Sequence, residues 1–296
     1  MEGNEMILQD RCDKIREVIN KYGEDNFFIS FSGGRDSTVL SYLIDLAIPG
    51  NKIPRVFANT GIELNMIRDF VKKCAGDDER IIMLKPSRSI RMILDDVGYP
   101  FKSKEHSYKW EYIHRKGFDN KTAKHYLQLN GVKHGYGCPN ILRYQFFDKI
   151  PFKISDRCCD ELKKKPIKEW CKQSNRKIAI TGVVAAESNG GSRMFAKCTV
   201  FSGNKLKSFQ PLVPVTRKWE DWFIDKFNVK LCDIYRPPYN FTRTGCKGCP
   251  FNPYLQKSLD TIEEYFPAER KQCEIIWKPV YDEYRRIGYR LRKENT

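Results

Sequence analysis

The sequence predicts an α/β protein: a doubly wound, mostly parallel sheet with helices on both faces, a helical insertion and a small cysteine-bearing cap towards the C-terminal end. Three observations carry that expectation. An apolar strand pattern near residue 30 runs into a glycine loop and then a helix pattern; strands and helices keep alternating to about residue 84; and two segments, about 98–150 and from about 231 onward, break the alternation.

Each element follows from local pattern. A charged helix is expected over about 5–21. Asn26-Phe-Phe-Ile-Ser-Phe31 is aromatic and β-branched, the composition of a buried strand, and it stops at Ser32-Gly33-Gly34. From Asp36, the apolar residues Thr38-Val39-Leu40, Tyr42-Leu43 and Leu46 have helical spacing that ends before Pro49-Gly50. A strand over 55–60, a helix over about 64–74 and a strand over 81–84 come next, and Lys177–Val183 reads as a later strand. The segment 98–150 holds all four histidines among Lys, Tyr and Trp and reads as a mostly helical insertion. The tail is rich in Pro, Tyr and Cys and closes with an amphipathic helix over 277–291. The expected organisation is a ligand-binding α/β domain over 1–230, carrying the insertion, and a cap over 231–296.

The chain has 296 residues, of which 41% are hydrophobic and 13% aromatic, so a sizeable core is available and disordered, collagenous and low-complexity classes are excluded. No run approaches the roughly 18 apolar residues of a membrane span, and the first residues are polar and acidic, so neither a membrane location nor export is expected. Eleven cysteines, an odd number, fit reduced thiols in a cytoplasmic protein, some of them holding a metal. The formal net charge is +16. Between Lys102 and Arg176 there are 18 basic and 8 acidic residues, a local excess of 10. Such a field draws in polyanions, either nucleic acid or nucleotide phosphates; a solvated basic surface is the plain alternative.

Ser32-Gly33-Gly34-Arg35-Asp36-Ser37 lies where a buried strand meets a helix N-terminus. Glycines there allow a tight bend and close backbone approach, and first-turn N–H groups present partial positive charge to an anion, with phosphate the natural guest. Ser32 and Ser37 add hydroxyls and Arg35 a formal charge, while Asp36 either caps the helix or holds a magnesium ion bridging phosphates. The order of residues is neither Gly-x4-Gly-Lys-Ser/Thr nor Gly-x-Gly-x-x-Gly.

This loop resembles the PP-loop, SGGxDS, of the ATP pyrophosphatase or adenine nucleotide α-hydrolase superfamily. Phe57-Ala-Asn-Thr-Gly-Ile-Glu63, Thr181-Gly-Val-Val-Ala-Ala-Glu-Ser-Asn-Gly-Gly-Ser-Arg193, Gln210-Pro-Leu with Trp219-Glu-Asp-Trp222, and Tyr235 with Arg243-Thr-Gly-Cys-Lys-Gly-Cys-Pro-Phe251 narrow the resemblance to its phosphoadenosine phosphosulfate (PAPS) reductase-like branch. The resemblance implies an adenine nucleotide contacted by Ser32 to Ser37, by Asn59, Thr60 and Gly61, and by Gly182, with Asp36, Arg35, Glu187 and Arg193 as catalytic groups. Two departures stand out. Asn59 replaces the usual Asp, and Val184 replaces an Arg, so a phosphate contact from that position would have to come from Arg193 or Arg217. A buried structural ion pair is the other reading of Glu187 and Arg193.

Cys246-Lys-Gly-Cys249-Pro has the spacing that brings two thiolates to one metal, and Cys158-Cys159 would supply a second pair. Side chains of adjacent residues splay apart, which suits a bulky [4Fe–4S] cluster better than one small tetrahedral zinc ion; zinc and a redox disulfide remain alternatives. Cys273 is a possible substitute ligand or a buried helix thiol. The arrangement is similar to that of the iron–sulfur assimilatory reductases and of the DNA phosphorothioation sulfur-transfer proteins.

Two chemistries fit that branch. A sulfite-releasing reductase of a sulfated nucleotide needs a cysteine nucleophile in a C-terminal Glu-Cys-Gly-Leu-like motif, and this sequence closes Arg-Leu-Arg-Lys-Glu-Asn-Thr296 without one. An ATP pyrophosphatase uses an unaltered SGGxDS loop, as here. The expectation is therefore cleavage of ATP to AMP and pyrophosphate, adenylating an acceptor for sulfur transfer. Nucleic acid is the expected acceptor, through basic and aromatic residues interleaved over 102–176, the plain alternative being an ordinary helical insertion whose aromatics pack into the core; a sulfur-donor protein is a further partner. A non-catalytic component of a DNA modification or defence system, binding nucleotide and cluster, is the alternative from another class.

Overall fold

The computed structural model describes residues 2–131, 137–185 and 196–293. In chain order the elements are α1 (Glu2–Tyr22), β1 (Phe27–Ser30), α2 (Arg35–Ala47), β2 (Arg55–Ala58), α3 (Asn65–Asp77), β3 (Ile81–Leu84), α4 (Ile90–Val97), α5 (Lys104–Lys116), α6 (Lys121–Tyr126), α7 (Lys165–Ser174), β4 (Ile178–Ile180), β5 (Thr199–Ser202), β6 (Lys205–Phe209), α8 (Arg217–Lys226), α9 (Leu255–Tyr265) and α10 (Pro267–Ile287). Two compact units are formed. The first comprises Met1–Asn59, Glu63–Lys85 and Lys165–Thr244, and the second Thr60–Ile62, Pro86–Lys164 and Gly245–Thr296.

The first unit holds a six-stranded sheet in the order β3-β2-β1-β4-β6-β5. All pairs are parallel except β5 with β6. The doubly wound, mostly parallel class expected from the sequence is thus observed. β1 is central: Phe27, Phe28 and Ile29 are buried, as in a strand with both faces covered. It is flanked by β2 and by β4, so the chain reverses its direction of winding there, and the crevice at the carboxyl ends of β1 and β4 is the topological switch point. The core of this unit joins Ile15 and Ile19 of α1, Leu40 and Leu43 of α2, and Trp219 and Phe223 of α8 to the sheet.

The antiparallel edge was not read from the sequence. Thr199-Val-Phe-Ser and Lys205-Leu-Lys-Ser-Phe are a hairpin turned by Gly203, whose φ of 57° is left-handed. The Gly203-Asn204 pair between two short alternating runs was the available signal.

The described residues of the second unit are mostly helical, and an isolated parallel bridge joins Tyr99 to Ile154. The unit's core gathers Phe101, Trp110, Ile113, Leu142 and Phe146 with Leu259, Trp277, Tyr281 and Tyr284. The chain therefore partitions differently from the expected boundary at 230/231. Residues 86–164 and the tail from Gly245 share one apolar core, because the aromatic face of α10 is buried among the residues of the insertion. The last helix also differs from the expected 277–291. It starts at Pro267, whose fixed φ suits a first helical position, and stops at left-handed Gly288.

Candidate functional site

The Ser32–Ser37 loop joins β1 to α2 at the switch point. Gly33 has φ 66°, and a Cβ there would stand 2.6 Å from Val71 Cγ2, so both its conformation and its contact with α3 require glycine. The hydroxyls pin the bend internally. Ser32 Oγ and Ser37 Oγ are 3.0 Å apart, Gly34 N–H donates to Ser32 Oγ at 3.3 Å, and Ser37 Oγ donates to the Gly34 carbonyl at 2.9 Å. Gly182, two residues beyond β4, comes up against this bend from the other side of the crevice: a Cβ on it would lie 2.9 Å from the Asp36 carbonyl carbon and 3.1 Å from Ser37 N.

Asp36 does not cap α2. The N-cap residue is Gly34, with no side-chain capping bond, and Asp36 Oδ1 instead accepts from Arg217 Nη1 at 3.0 Å. Arg217 also donates to Glu220 Oε2 at 2.6 Å, and Arg35 is ion-paired with Asp221. Five charged side chains, Arg35 and Asp36 in the first turn of α2 and Arg217, Glu220 and Asp221 on α8, are thus paired across the two helices. Glu220 is fully buried, and burial, with Asp36 adding to it, pushes its carboxyl up to about 7 against the pull of Arg217 and Arg35. Among the described residues, Glu220 Oε1 and Arg35 Nε are buried without a hydrogen-bond partner. Tyr235, whose hydroxyl bonds Thr244 Oγ1, lies beside Gly34.

The structure brings Ser32 to Ser37 and Gly182 together. Asn59 ends the β2 ladder, its N–H donating to the Leu84 carbonyl at 2.8 Å. Thr60 and Gly61 fall in the second unit, where Thr60 is buried. Glu187 and Arg193 lie outside the described residues. In the sequence Glu220 and Asp221 stand out only as part of the Trp219-Glu-Asp-Trp222 segment. Nothing in their spacing announced that they would meet Asp36 and Arg35 some 185 residues earlier.

The cysteines belong to the second unit. Cys158-Cys159 precede a π-helical turn over Asp160–Lys164, which Pro166 makes intelligible because proline cannot donate to the carbonyl four residues earlier. The Cys246–Cys249 segment is a tight turn, Cys249 N–H donating to Cys246 O at 3.2 Å. Its backbone is held by α10: Trp277 Nε1 donates to Lys247 O at 3.0 Å, Tyr281 Oη to Gly248 O, and Tyr284 Oη to Pro250 O at 3.0 Å. Gly248 has φ 62°, and a Cβ there would meet Cys273 Sγ at 2.9 Å. Cys273 therefore sits against the turn.

The thiols act on one another. A hydrogen bond with Cys159 and burial raise Cys158, and Cys249 and Cys246 add to the rise. The bond from Cys158, helped by Lys104 and Lys163, brings Cys159 down to about 6. Burial pushes Cys249 up to about 12, with Cys246 and Cys159 contributing. This donor set fits a thiolate-bound metal in kind. Among the described residues, however, no three His, Cys, Asp or Glu side chains already converge as a metal-holding group.

Sheet order, loop and the approach of Gly182 define a doubly wound α/β protein with a glycine loop at its switch point. No protein-family model matches the chain, and no curated protein matches its sequence. Among solved structures it is similar to a phosphoadenylyl-sulfate (PAPS) reductase from Candida auris, in a phosphate complex, at 12% identity and TM-score 0.47 over 83% of this chain and 95% of that one. It is also similar to an FMN adenylyltransferase from Candida glabrata (13%, TM-score 0.48, 83% of this chain and 62% of that one) and to an NH3-dependent NAD synthetase from Campylobacter jejuni (13%, TM-score 0.42, 95% of each). No helix of the described residues is long and apolar enough to cross a membrane.

Proposed function

We propose that the chain is a PP-loop nucleotide-cleaving enzyme of the PAPS reductase-like kind, which splits ATP into AMP and pyrophosphate and adenylates an acceptor, nucleic acid being the acceptor class, for sulfur transfer. The observation that carries this reading is the Ser32–Ser37 bend at the switch point, with Gly182 against its backbone and Arg35 and Arg217 beside it. First-turn N–H groups have no intrahelical acceptor, and with two guanidiniums they suit a pyrophosphate. An acceptor oxygen attacks the α-phosphorus, the bond to the bridging oxygen breaks, and its electron pair leaves on pyrophosphate. Donors fixed before the reaction then stabilise that charge as it forms. Asp36 would hold magnesium, which supplies charge neutralisation on the phosphates.

Cys158, Cys159, Cys246 and Cys249 would hold a [4Fe–4S] cluster, with zinc as the alternative; a cluster supplies a sulfur-handling centre. The turn held by Trp277, Tyr281 and Tyr284 fixes the backbone from which two of these thiolates project. Incubation with ATP and magnesium, with and without nucleic acid, tests the reading. Pyrophosphate is expected, balanced by an equal amount of AMP that is carried on the acceptor or released by water, at a rate about a hundredfold lower in Asp36→Ala. ATP bound tightly with no pyrophosphate formed under any acceptor would leave a nucleotide-sensing protein instead, and sulfite release from a sulfated nucleotide would mark a reductase.

A further inference from the structure

Two phenylalanines of the second unit stack on each other at the surface. Phe118 and Phe147 have ring centroids 5.3 Å apart and an interplanar angle of 13°, yet they are 39% and 58% exposed. Each is placed by backbone that ends a helix. α5 stops at Gly117, whose left-handed φ of 79° turns the chain so that Phe118 leaves the helical surface. Phe147 follows a 3-10 turn over Asn140–Phe146, and whereas Phe146 is buried against His106, His114 and Tyr126, its neighbour projects outward. The core thus takes one phenylalanine of the pair and leaves the other in water.

The sequence around this pair carries more cations than carboxylates, Asp119 and Asp148 being its acidic neighbours. Arg115, Lys116, Lys121 and Lys149, all exposed, lie within three residues of one ring or the other along the chain. Among the described residues none of these four enters an ion pair, whereas Lys124 is taken by Asp119. Exposed aromatic faces beside uncommitted cations are what a polyanion with accessible π-faces recognises: bases stack on the rings while phosphates meet the cations. In a duplex those base faces are already covered by their neighbours, so the match is to a single strand.

We infer that Phe118 and Phe147 form a stacking platform for an unpaired base of single-stranded nucleic acid, with Arg115, Lys116, Lys121 and Lys149 as phosphate contacts. This deepens the nucleic-acid part of the proposed function and rests on it, but not on the ATP chemistry.

Fluorescence anisotropy of a labelled single-stranded oligonucleotide, and of the same sequence as duplex, tests it. The wild-type chain is expected to bind the single strand more tightly. Phe147→Ala should weaken that binding about tenfold and Phe147→Trp should keep it. Lys121→Ala and Lys149→Ala should each lower the slope of log affinity against log salt by roughly 0.7. Equal binding by Phe147→Ala and wild type, or equal affinity for duplex and single strand, overturns the platform while leaving a nucleic-acid acceptor in place. A wild-type chain that cleaves ATP but binds no oligonucleotide overturns the platform and the acceptor class together. A chain that cleaves no ATP, but whose single-strand binding falls in Phe147→Ala and returns in Phe147→Trp, supports the platform and overturns the ATP reading.

Discussion

Arg217 donates to Asp36 across 3.0 Å, so the single carboxylate of the glycine loop is held by a cation from a helix 181 residues downstream. The same guanidinium reaches the buried Glu220. In this state its positive charge is shared between two carboxylates. A nucleotide phosphate beside the loop would compete for it, and a charge-assisted bond of that kind contributes ~1.5–3 kcal/mol.

Arg217→Ala is therefore expected to weaken ATP binding by at least tenfold, measured by calorimetry, with Arg217→Lys intermediate because a point charge replaces a planar fork. Unchanged affinity in Arg217→Ala would show that this arginine serves only to neutralise Glu220 and Asp36.

Gly182 makes a second expectation specific to backbone. A methyl group there would press on the Asp36 carbonyl at 2.9 Å, and two backbones give way less readily than a side-chain tip. Gly182→Ala should cost about 1–3 kcal/mol of stability and shift the loop enough to reduce ATP affinity, while far-ultraviolet circular dichroism stays that of the wild type. Gly203→Ala, at a hairpin turn with open space around it, should lose stability through its positive φ but retain ATP affinity.

Much of this architecture was legible in the sequence, and the parts that were not share a cause. β1, the loop and α2 announce themselves because an apolar run, a glycine bend and a 3.6-residue period follow in order within 21 residues, Phe27–Ala47. The Arg217–Asp36 and Arg35–Asp221 pairs are tertiary: polar residues on an exposed helix turn look alike in sequence whether they face water or a loop. Cys246 and Cys249 were visible from their spacing, but the grip of Trp277, Tyr281 and Tyr284 on that turn was not. In sequence those aromatics read as the apolar face of a terminal helix, and their polar tips found carbonyls only on folding. The same concealed continuity set the boundary of the second unit at Gly245 instead of 231.

Glu220 gives the first unit a definite pH signature. Its folded-state carboxyl titrates at about 7 against an ordinary 4.5, because burial and Asp36 disfavour the charge. The folded state then holds the proton more tightly than the unfolded one. This contribution is fully present below about 4.5, declines as pH rises towards about 7 and is lost above it. Glu220→Gln should remove that decline, read from denaturant midpoints measured across this range. A Glu220→Gln profile parallel to the wild type between pH 4.5 and 7 would refute the assignment.

His106 predicts the opposite slope in the second unit. Its ring is fully buried, with Tyr126 Oη at 2.8 Å from Nδ1 and Gln145 Oε1 at 3.0 Å from Nε2. Burial pulls it down to about 4 from an ordinary 6.5, although the bond to Gln145 works the other way. The unfolded state therefore takes up a proton first, and stability falls as pH drops from about 6.5 to about 4, by at most ~1.4 kcal/mol per pH unit. His106→Gln should flatten this acid limb, while Glu220→Gln leaves it in place. Loss of the acid limb in neither variant would move its cause to other carboxylates.

The thiol centre can be tested by metal content after anaerobic purification. If the four cysteines hold an iron–sulfur cluster, the protein carries iron and sulfide with visible thiolate-to-iron absorbance, and Cys246→Ser or Cys158→Ser loses both. Cys171→Ser, from α7 in the first unit, keeps them. Trp277→Phe leaves every thiol in place but strips the Lys247 carbonyl of its buried donor, at a cost of about 1–3 kcal/mol. It should therefore lower iron retention without abolishing it, since the outer support of a ligand turn affects affinity more than identity. Cys273, against Gly248, discriminates further: if Cys273→Ser loses the chromophore as completely as Cys246→Ser, the helix thiol is itself a ligand and one of the adjacent pair Cys158-Cys159 is not. A colourless protein with one zinc per chain would assign the same residues to a tetrahedral structural site and remove sulfur handling from this unit.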